Sequence, residues 1–333
     1  GKVLKIYGDS QTAMVCVDAI IDNAEIPVEF SKESMDLAKS ISNLGIREED
    51  YKGRLDLREE NIFTIDGADA KDLDDAISIK KENNDWLLGV HIADVSHYIQ
   101  MNSPLDVEAR ERGTSVYFAD RVIPMLPKEI SNGICSLNSG EDRLAFSALI
   151  RIDKKGNIRN FEFRKSVINS KVRGVYSEVN DILEGKNDRR IEEKYAPVKD
   201  SIFLAKELAD ILSNKAKHRG CLELNTTEPR FTLDKNGVCI DVNLRSQGAS
   251  EEIIEQFMIT ANIAAAIYAK GALIPFIYRV HEPPAPEKIV MLAQLVSELG
   301  LKANRIRQGM KSSAVARLIR DVKGTKVDRV VSN

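Results

Sequence analysis

The chain has 333 residues, 43% hydrophobic and 30% charged, which is apolar material enough for a large core and excludes a disordered polymer. No run approaches the roughly 18 to 20 consecutive apolar residues of a membrane-spanning helix, and Gly1-Lys2-Val3-Leu4-Lys5 has no apolar signal core, so a soluble, cytoplasmic protein with no membrane partner is expected. A net charge of −3 excludes a globally basic nucleic-acid binder and leaves any basic surface to be local.

In chain order, residues 1 to 50 read as a lead-in segment: a strand-like stretch, Ala13-Met14-Val15-Cys16-Val17, then a helix from about Lys32 to Leu44 capped by Ser31. An aspartate-rich loop follows. Beyond it, Ala76 to Ile79 and Trp86 to Val90 flank the polar turn Glu82-Asn83-Asn84-Asp85, which predicts a β-hairpin. A short helix is punctuated by Ser103 as cap, Pro104 at its first position, Asp106 and Glu108 at its positive end, and Gly113 as its stop. Three β-like runs come next, Ala145 to Ile152, Ile158 to Phe163 and Ser166 to Val172, with Lys154-Lys155-Gly156-Asn157 as a turn.

Helices return at about Lys199 to Arg219 before Gly220, at Glu251 to Lys270, and at Pro286 to Leu299 before Gly300. The second is apolar nearly all round, through Ile253, Ile254, Phe257, Met258, Ala261, Ile263, Ala264 and Ile267, and is expected deep in the core. Strands and helices come in runs rather than in strict βαβ alternation, which predicts an α+β fold with an antiparallel or mixed sheet packed by helices. Residues 302–333 carry nine basic residues against Asp321 and Asp328. That segment reads either as a solvated helix or as a phosphate-contacting surface.

Cys16, Cys135, Cys221 and Cys239 form no Cys-x-x-Cys pair, and the four histidines lack i, i+4 spacing. Zinc chemistry is disfavoured, and packing is the expected role of the cysteines.

The sharpest feature is Ile65-Asp66-Gly67-Ala68-Asp69-Ala70-Lys71-Asp72-Leu73-Asp74-Asp75-Ala76, five carboxylates relieved by one lysine. Two carboxylates about 4 Å apart repel by about 4 kcal/mol at an effective dielectric near 20, so such a loop scatters them into water, protonates some, or binds cations. All-oxygen donors suit Mg²⁺, Mn²⁺ or Ca²⁺. An EF-hand is disfavoured by register, since counting from Asp66 puts Ala68 and Ala70 at ligand positions and places neither the required glycine nor the closing glutamate correctly. An aspartyl nucleophile at Asp72-Leu73-Asp74 lacks the apolar strand that would deliver it to a sheet edge. A solvated acidic loop without function remains the plain alternative.

This loop, followed by His91-Ile92-Ala93-Asp94-Val95-Ser96, Arg112-Gly113-Thr114-Ser115-Val116-Tyr117, Val122-Ile123-Pro124-Met125-Leu126-Pro127, Ile130 to Asn138 and Tyr278-Arg279-Val280-His281, resembles the catalytic domain of the ribonuclease II and ribonuclease R family over roughly residues 50 to 300. The resemblance implies a lead-in segment, 1–50, and one large catalytic domain, 51–333. It implies 3′→5′ hydrolysis of single-stranded RNA to 5′-mononucleotides by a monomer in RNA turnover, with Mg²⁺ as cofactor and Mn²⁺ as a substitute. Asp66, Asp72, Asp74 and Asp75 match the family's active-site aspartates and would hold the metal, with Asp69 outside that set and Gly67 turning the side chains inward. Tyr117 matches the tyrosine that packs on the 3′-terminal nucleotide, against the reading of an ordinary core tyrosine. Leu224 stands where the family has a second aromatic. Glu255 sits where a family glutamate contacts RNA, or is paired structurally. The family's later motif, its further catalytic arginine and glutamate, and its OB-fold domains have no counterpart here, which leaves a non-catalytic RNA-binding relative or an inactive fragment as the alternative.

Overall fold

The computed structural model describes residues 1–9, 12–186, 188–221, 228–234, 237–245, 247–280, 284–301, 306, 312–328 and 330. The chain opens with α1 (Ala13–Asn23) and α2 (Lys32–Leu44), followed by a single 3₁₀ turn at 48–51. The strand-like stretch at 13–17 is therefore helical. Its β-branched residues have no sheet edge to join, and Ile21 alone of α1 is buried. Helix α2 begins as its cap dictates, with Ser31 Oγ accepting a hydrogen bond from the Ser34 amide at 3.1 Å.

Strands β1 (Leu55–Asp56), β2 (Phe63–Asp66), β3 (Asp75–Glu82) and β4 (Asp85–Ala93) come next. Asn83 and Asn84 link β3 to β4 with φ of 49° and 67°, the left-handed conformation that a two-residue hairpin needs and asparagine tolerates. Then follow α3 (Val95–Tyr98), α4 (Pro104–Arg112), the short ribbon β5 (Val116–Tyr117) and β6 (Val122–Ile123), and a π-helical turn at 129–134. Helix α4 has the predicted punctuation: the Asp106 amide donates to Ser103 Oγ at 3.3 Å, and Gly113 closes it at φ 71°.

Strands β7 (Asp142–Ile152), β8 (Ile158–Asn169) and β9 (Val172–Val175) complete the main sheet. The two runs read at 158–163 and 166–172 are one long strand, β8, and only its end breaks to begin β9. The remaining elements are α5 (Tyr176–Glu184), α6 (Arg189–Tyr195), α7 (Lys199–Arg219), a second ribbon β10 (Glu228–Leu233) and β11 (Cys239–Arg245), α8 (Ala249–Ala272), α9 (Pro286–Glu298) and α10 (Ser312–Val322).

The seven-stranded sheet runs β1-β8-β7-β4-β3-β2-β9, antiparallel inside and parallel at its two edge pairs, β1 with β8 and β2 with β9. This is a mixed sheet with helices on both faces, the α+β architecture expected. Alternation in the strands supplies one apolar set to each face. Ile77, Leu88, Val90 and Ile150 pack under α5, α7 and α8, while Ala76, Ala93, Ala145 and Val167 pack under α2, α4 and the π-helical turn. No helix among the described residues is long and apolar enough to cross a membrane.

Helix α8 is buried on one side only. Ile253, Ile254, Phe257 and Ala264 enter the core, but Ile259, Ile263, Ile267 and Tyr268 are exposed. The expectation of a helix buried all round fails because the sheet covers one face of a cylinder. The packing role expected of the cysteines holds for Cys135; Cys16, Cys221 and Cys239 are exposed.

Candidate active site

The acidic loop joins β2 to β3 across the top of the sheet, so Asp66 ends one strand and Asp75 begins the next. Eight residues without regular structure need their backbone groups satisfied elsewhere, and the turn that follows the π-helical segment, the end of β4 and strand β9 supply the partners. On one side Ser136 Oγ donates to the Lys71 carbonyl at 2.9 Å and accepts from the Leu73 amide at 3.2 Å, and the Leu137 amide donates to the Leu73 carbonyl at 2.9 Å. The Ala93 amide, at the end of β4, donates to the Asp74 carbonyl at 3.0 Å. On the other side Arg173, in β9, donates to the carbonyls of Ala68 and Ala70 at 2.9 and 2.7 Å. Leu73 turns inward and is fully buried, anchoring the middle of the loop.

Gly67 has an ordinary backbone conformation and open space where a Cβ would lie, so the loop does not need glycine there. The inward course of the side chains comes from Leu73 and from the two sets of hydrogen bonds.

The four carboxylates share a field. Burial first, then the charges of Asp75, Asp74 and Asp72, push the Asp66 carboxyl up to about 7, with Arg173 opposing. Burial and Asp74 push Asp75 up to about 6, and Asp74 is raised by burial and Asp72. Asp74 itself is solvent-accessible, so its upward shift reflects the protein around it more than enclosure of its own oxygens. One oxygen each of Asp66 and Asp75, both Oδ2, is buried without a hydrogen-bond partner. Buried oxygens that repel each other and lack donors are satisfied by protons or by a cation.

The donor set fits a hard divalent ion in kind. Among the described residues, however, no three His, Cys, Asp or Glu side chains converge ready to hold a metal. The carboxylates are gathered by one loop rather than preassembled around one point.

Asp72 and Asp74 open into a groove of about 520 Å³ whose other wall is the β5–β6 ribbon. Tyr117 projects from that ribbon, 68% exposed, and lines the same groove. It is not a core tyrosine. Lys71, Lys128 and Asn132 also line the groove, polar and cationic groups that the motif reading did not single out. A larger cavity of about 620 Å³ lies over the middle of the sheet, lined by Ser78, Leu87, Leu149 and Arg151 and by none of these acids; its chemistry is plainer than its size.

The family described as "RNB domain" matches residues 54–333. The chain belongs to the RNB domain family. It is 44% identical over 316 residues to the ribonuclease R of Thermotoga maritima, covering 93% of this chain and 44% of that protein. The structure of Mycoplasma genitalium RNase R in complex with ribose methylated single-stranded RNA superposes with a TM-score of 0.91 at 28% identity, over 99% of this chain and 51% of that one. Yeast Ssd1, described as a pseudonuclease, shares the fold at a TM-score of 0.65 and 17% identity, over 86% of this chain and 34% of its own. The chain thus spans less than half the length of the Thermotoga relative.

Within this RNB domain the remaining candidates are placed as follows. Glu255 lies on an exposed part of α8, has neither a hydrogen bond nor an ion pair among the described residues, and does not line the groove. Leu224 and His281 lie outside the described residues, as do Lys302, Arg305, Arg307, Lys311 and Arg329 of the basic segment; Arg317 and Arg320 are exposed on α10. Arg112 is structural. Its guanidinium donates to the carbonyls of Pro27 and Glu29 and stacks 3.7 Å from the Phe30 ring centroid, fastening the lead-in segment to α4. The sequence holds Ser136 only within the stretch 130–138 and does not single out Arg173, and the grip of either on the loop is not legible in it, because each meets the loop from more than 60 positions away and no local pattern links them.

Proposed function

We propose that this chain forms the catalytic core of an exoribonuclease that hydrolyses single-stranded RNA from its 3′ end to 5′-mononucleotides, with Mg²⁺ as its ion and Mn²⁺ as a substitute, acting as a cytoplasmic monomer in RNA turnover. The observation that carries the reading is the groove in which Asp72 and Asp74 face an exposed Tyr117. Carboxylates and an aromatic ring serve different parts of one nucleotide: the ring stacks on the base whatever its identity, and the acids work at the phosphate. Asp66, Asp72, Asp74 and Asp75 would hold the divalent ion, which would neutralise the scissile phosphate, lower the pKa of the attacking water and stabilise the leaving 3′-oxygen.

This chain's own groups divide the remaining work. Tyr117 holds the terminal nucleotide in register with the loop. Lys71 and Lys128 line the groove as counter-charges to the RNA backbone. Leu73 keeps the acids from receding into bulk water. The division of the chain into a lead-in segment, 1–50, and a catalytic domain, 51–333, belongs to the same proposal.

The test is release of 5′-mononucleotides from 3′-extended single-stranded RNA by the protein that contains this chain, in Mg²⁺, with Asp74→Asn alongside. Removing one well-placed electrostatic group commonly costs about 10² to 10³ in turnover, while the cationic surface that holds the backbone is untouched. Asp74→Asn is therefore expected to lose at least about a hundredfold in rate and to keep RNA affinity within a few-fold. Retention of more than about a tenth of the rate would refute the role given to Asp74. RNA binding without any release would favour a non-catalytic RNA-binding relative.

A further inference from the structure

The half of the acidic loop next to Asp66 is held differently from the half next to Asp75. Residues 71–74 are fixed by Ser136, Leu137 and Ala93 from the central part of the fold. Residues 67–70 close one turn of their own, the Ala70 amide on the Gly67 carbonyl at 3.1 Å. The hydrogen bonds described to the carbonyls of Ala68 and Ala70 both come from Arg173 Nη2.

Arg173 reaches them from β9, an edge strand that runs parallel to β2 in the register Thr64 to Arg173, Ile65 to Gly174 and Asp66 to Val175. That approach is close: a Cβ on Gly174 would lie 2.3 Å from the Thr64 carbonyl oxygen. The half-buried Arg173 forms no ion pair with any carboxylate among the described residues. A guanidinium near Asp66 that gives Nη2 to two backbone carbonyls and pairs directly with no carboxylate among the described residues holds backbone as well as contributing charge.

We infer that Arg173 is a positioning residue of the acidic loop, which by clasping the carbonyls of Ala68 and Ala70 sets Asp66 against Asp72 and so governs how tightly the loop takes up a divalent cation. The inference rests on the metal-binding role proposed above for that loop. Charge and position make opposite forecasts here. Arg173 is a cation beside a cation site, so if only its charge mattered, removing it would tighten metal binding. If its clasp matters, removing it loosens the donors and weakens binding, as loss of an outer partner of metal ligands typically does by about 10 to 100-fold.

The experiment titrates Mn²⁺ alone into the 333-residue chain and follows the free-ion electron paramagnetic resonance signal, for the parent, Arg173→Met and Arg173→Lys. Backbone amide exchange of residues 67–70 is measured on the same samples. Expected are about tenfold or greater weakening of Mn²⁺ binding and faster exchange at 67–70 in Arg173→Met. Arg173→Lys, which keeps the charge and can hold one carbonyl, should fall between Met and the parent. Binding in Arg173→Met as tight as in the parent, or tighter, overturns the inference. Should Arg173→Met not fold, Arg173→Lys decides: parent-like affinity and exchange overturn it, and weaker binding with faster exchange supports it. A parent that binds no Mn²⁺ counts against the metal-binding role instead, and amide exchange at 67–70 unchanged by either variant then overturns the clasp by itself.

Discussion

His91 lies wholly inside the sheet, with Nδ1 2.7 Å from Ser147 Oγ and Nε2 3.0 Å from Ser78 Oγ, and Ser147 is in turn 2.6 Å from Ser166 Oγ. The chain of hydroxyls crosses from β3 to β8 and satisfies both ring nitrogens without a charge. Burial pushes the imidazole down to about 3 from its ordinary 6.5, so folded protein keeps His91 neutral where unfolded protein protonates it. Its contribution to stability is therefore present above pH 6.5 and is lost as pH falls from 6.5 towards 3, with a slope of about 1.4 kcal/mol per unit. Between pH 6.5 and 4.5, urea unfolding of the wild-type chain should lose stability more steeply than that of His91→Asn. Comparing the two proteins cancels the carboxylates, several of which titrate in the opposite direction. Parallel pH curves would show that the buried imidazole is not the group responsible. The sequence offered His91 only as part of a motif; its burial is decided by the strands on either side.

At the scale of the element, reading succeeded where the signal is local and failed where a neighbour decides. The capped ends of α2 and α4 and the Asn83-Asn84 turn are contacts within a few residues, so their sequences suffice. The stretch at 13–17 has β-branched residues but no strand to pair with, and it is a helix. Helix α8 shows the same limit in its packing: Phe257 is fully buried and Ile263 is 37% exposed, though hydrophobicity alone ranks them together. Phe257→Ala should lower the unfolding free energy by about 3 to 5 kcal/mol, while Ile263→Ser, at a partly covered position, should lower it by no more than about 1.5 kcal/mol. Denaturant melts of the two variants check this, and similar losses from both would mean that Ile263 is covered in solution.

For the whole molecule, the sheet's parallel edges tie distant segments to the site. Strand β1 pairs in parallel with β8, and beside it Arg54 pairs with Asp94 at 2.7 Å, both side chains 4% exposed. Arg54 also donates to the Asp50 carbonyl at 2.8 Å, so one guanidinium binds the 3₁₀ turn at 48–51 to the loop after β4. Breaking such a buried pair from one side leaves a charge without its partner and typically costs about 3 to 5 kcal/mol. Arg54→Met is expected to lose stability towards that scale in chemical denaturation, and a loss below about 1 kcal/mol would mean that Lys165, 3.7 Å from the same Asp94 oxygen, or water takes over the counter-charge.

By itself the sequence determined the chemistry of the site and most of the regular elements. Five carboxylates in ten residues impose their repulsion in any fold, and caps, turns and alternation act over a few positions. The tertiary structure alone decided what those acids face. Tyr117 enters the groove because the β5–β6 ribbon folds over the loop, and Ser136 and Arg173 grip the loop because the turn after the π-helical segment and strand β9 bring residues 65 and 105 positions away from Lys71 and Ala68 within hydrogen-bond reach. The same holds for the exposed face of α8 and the open conformation at Gly67. Burial and long-range hydrogen bonds are properties of the packed chain, and no window of sequence contains both partners.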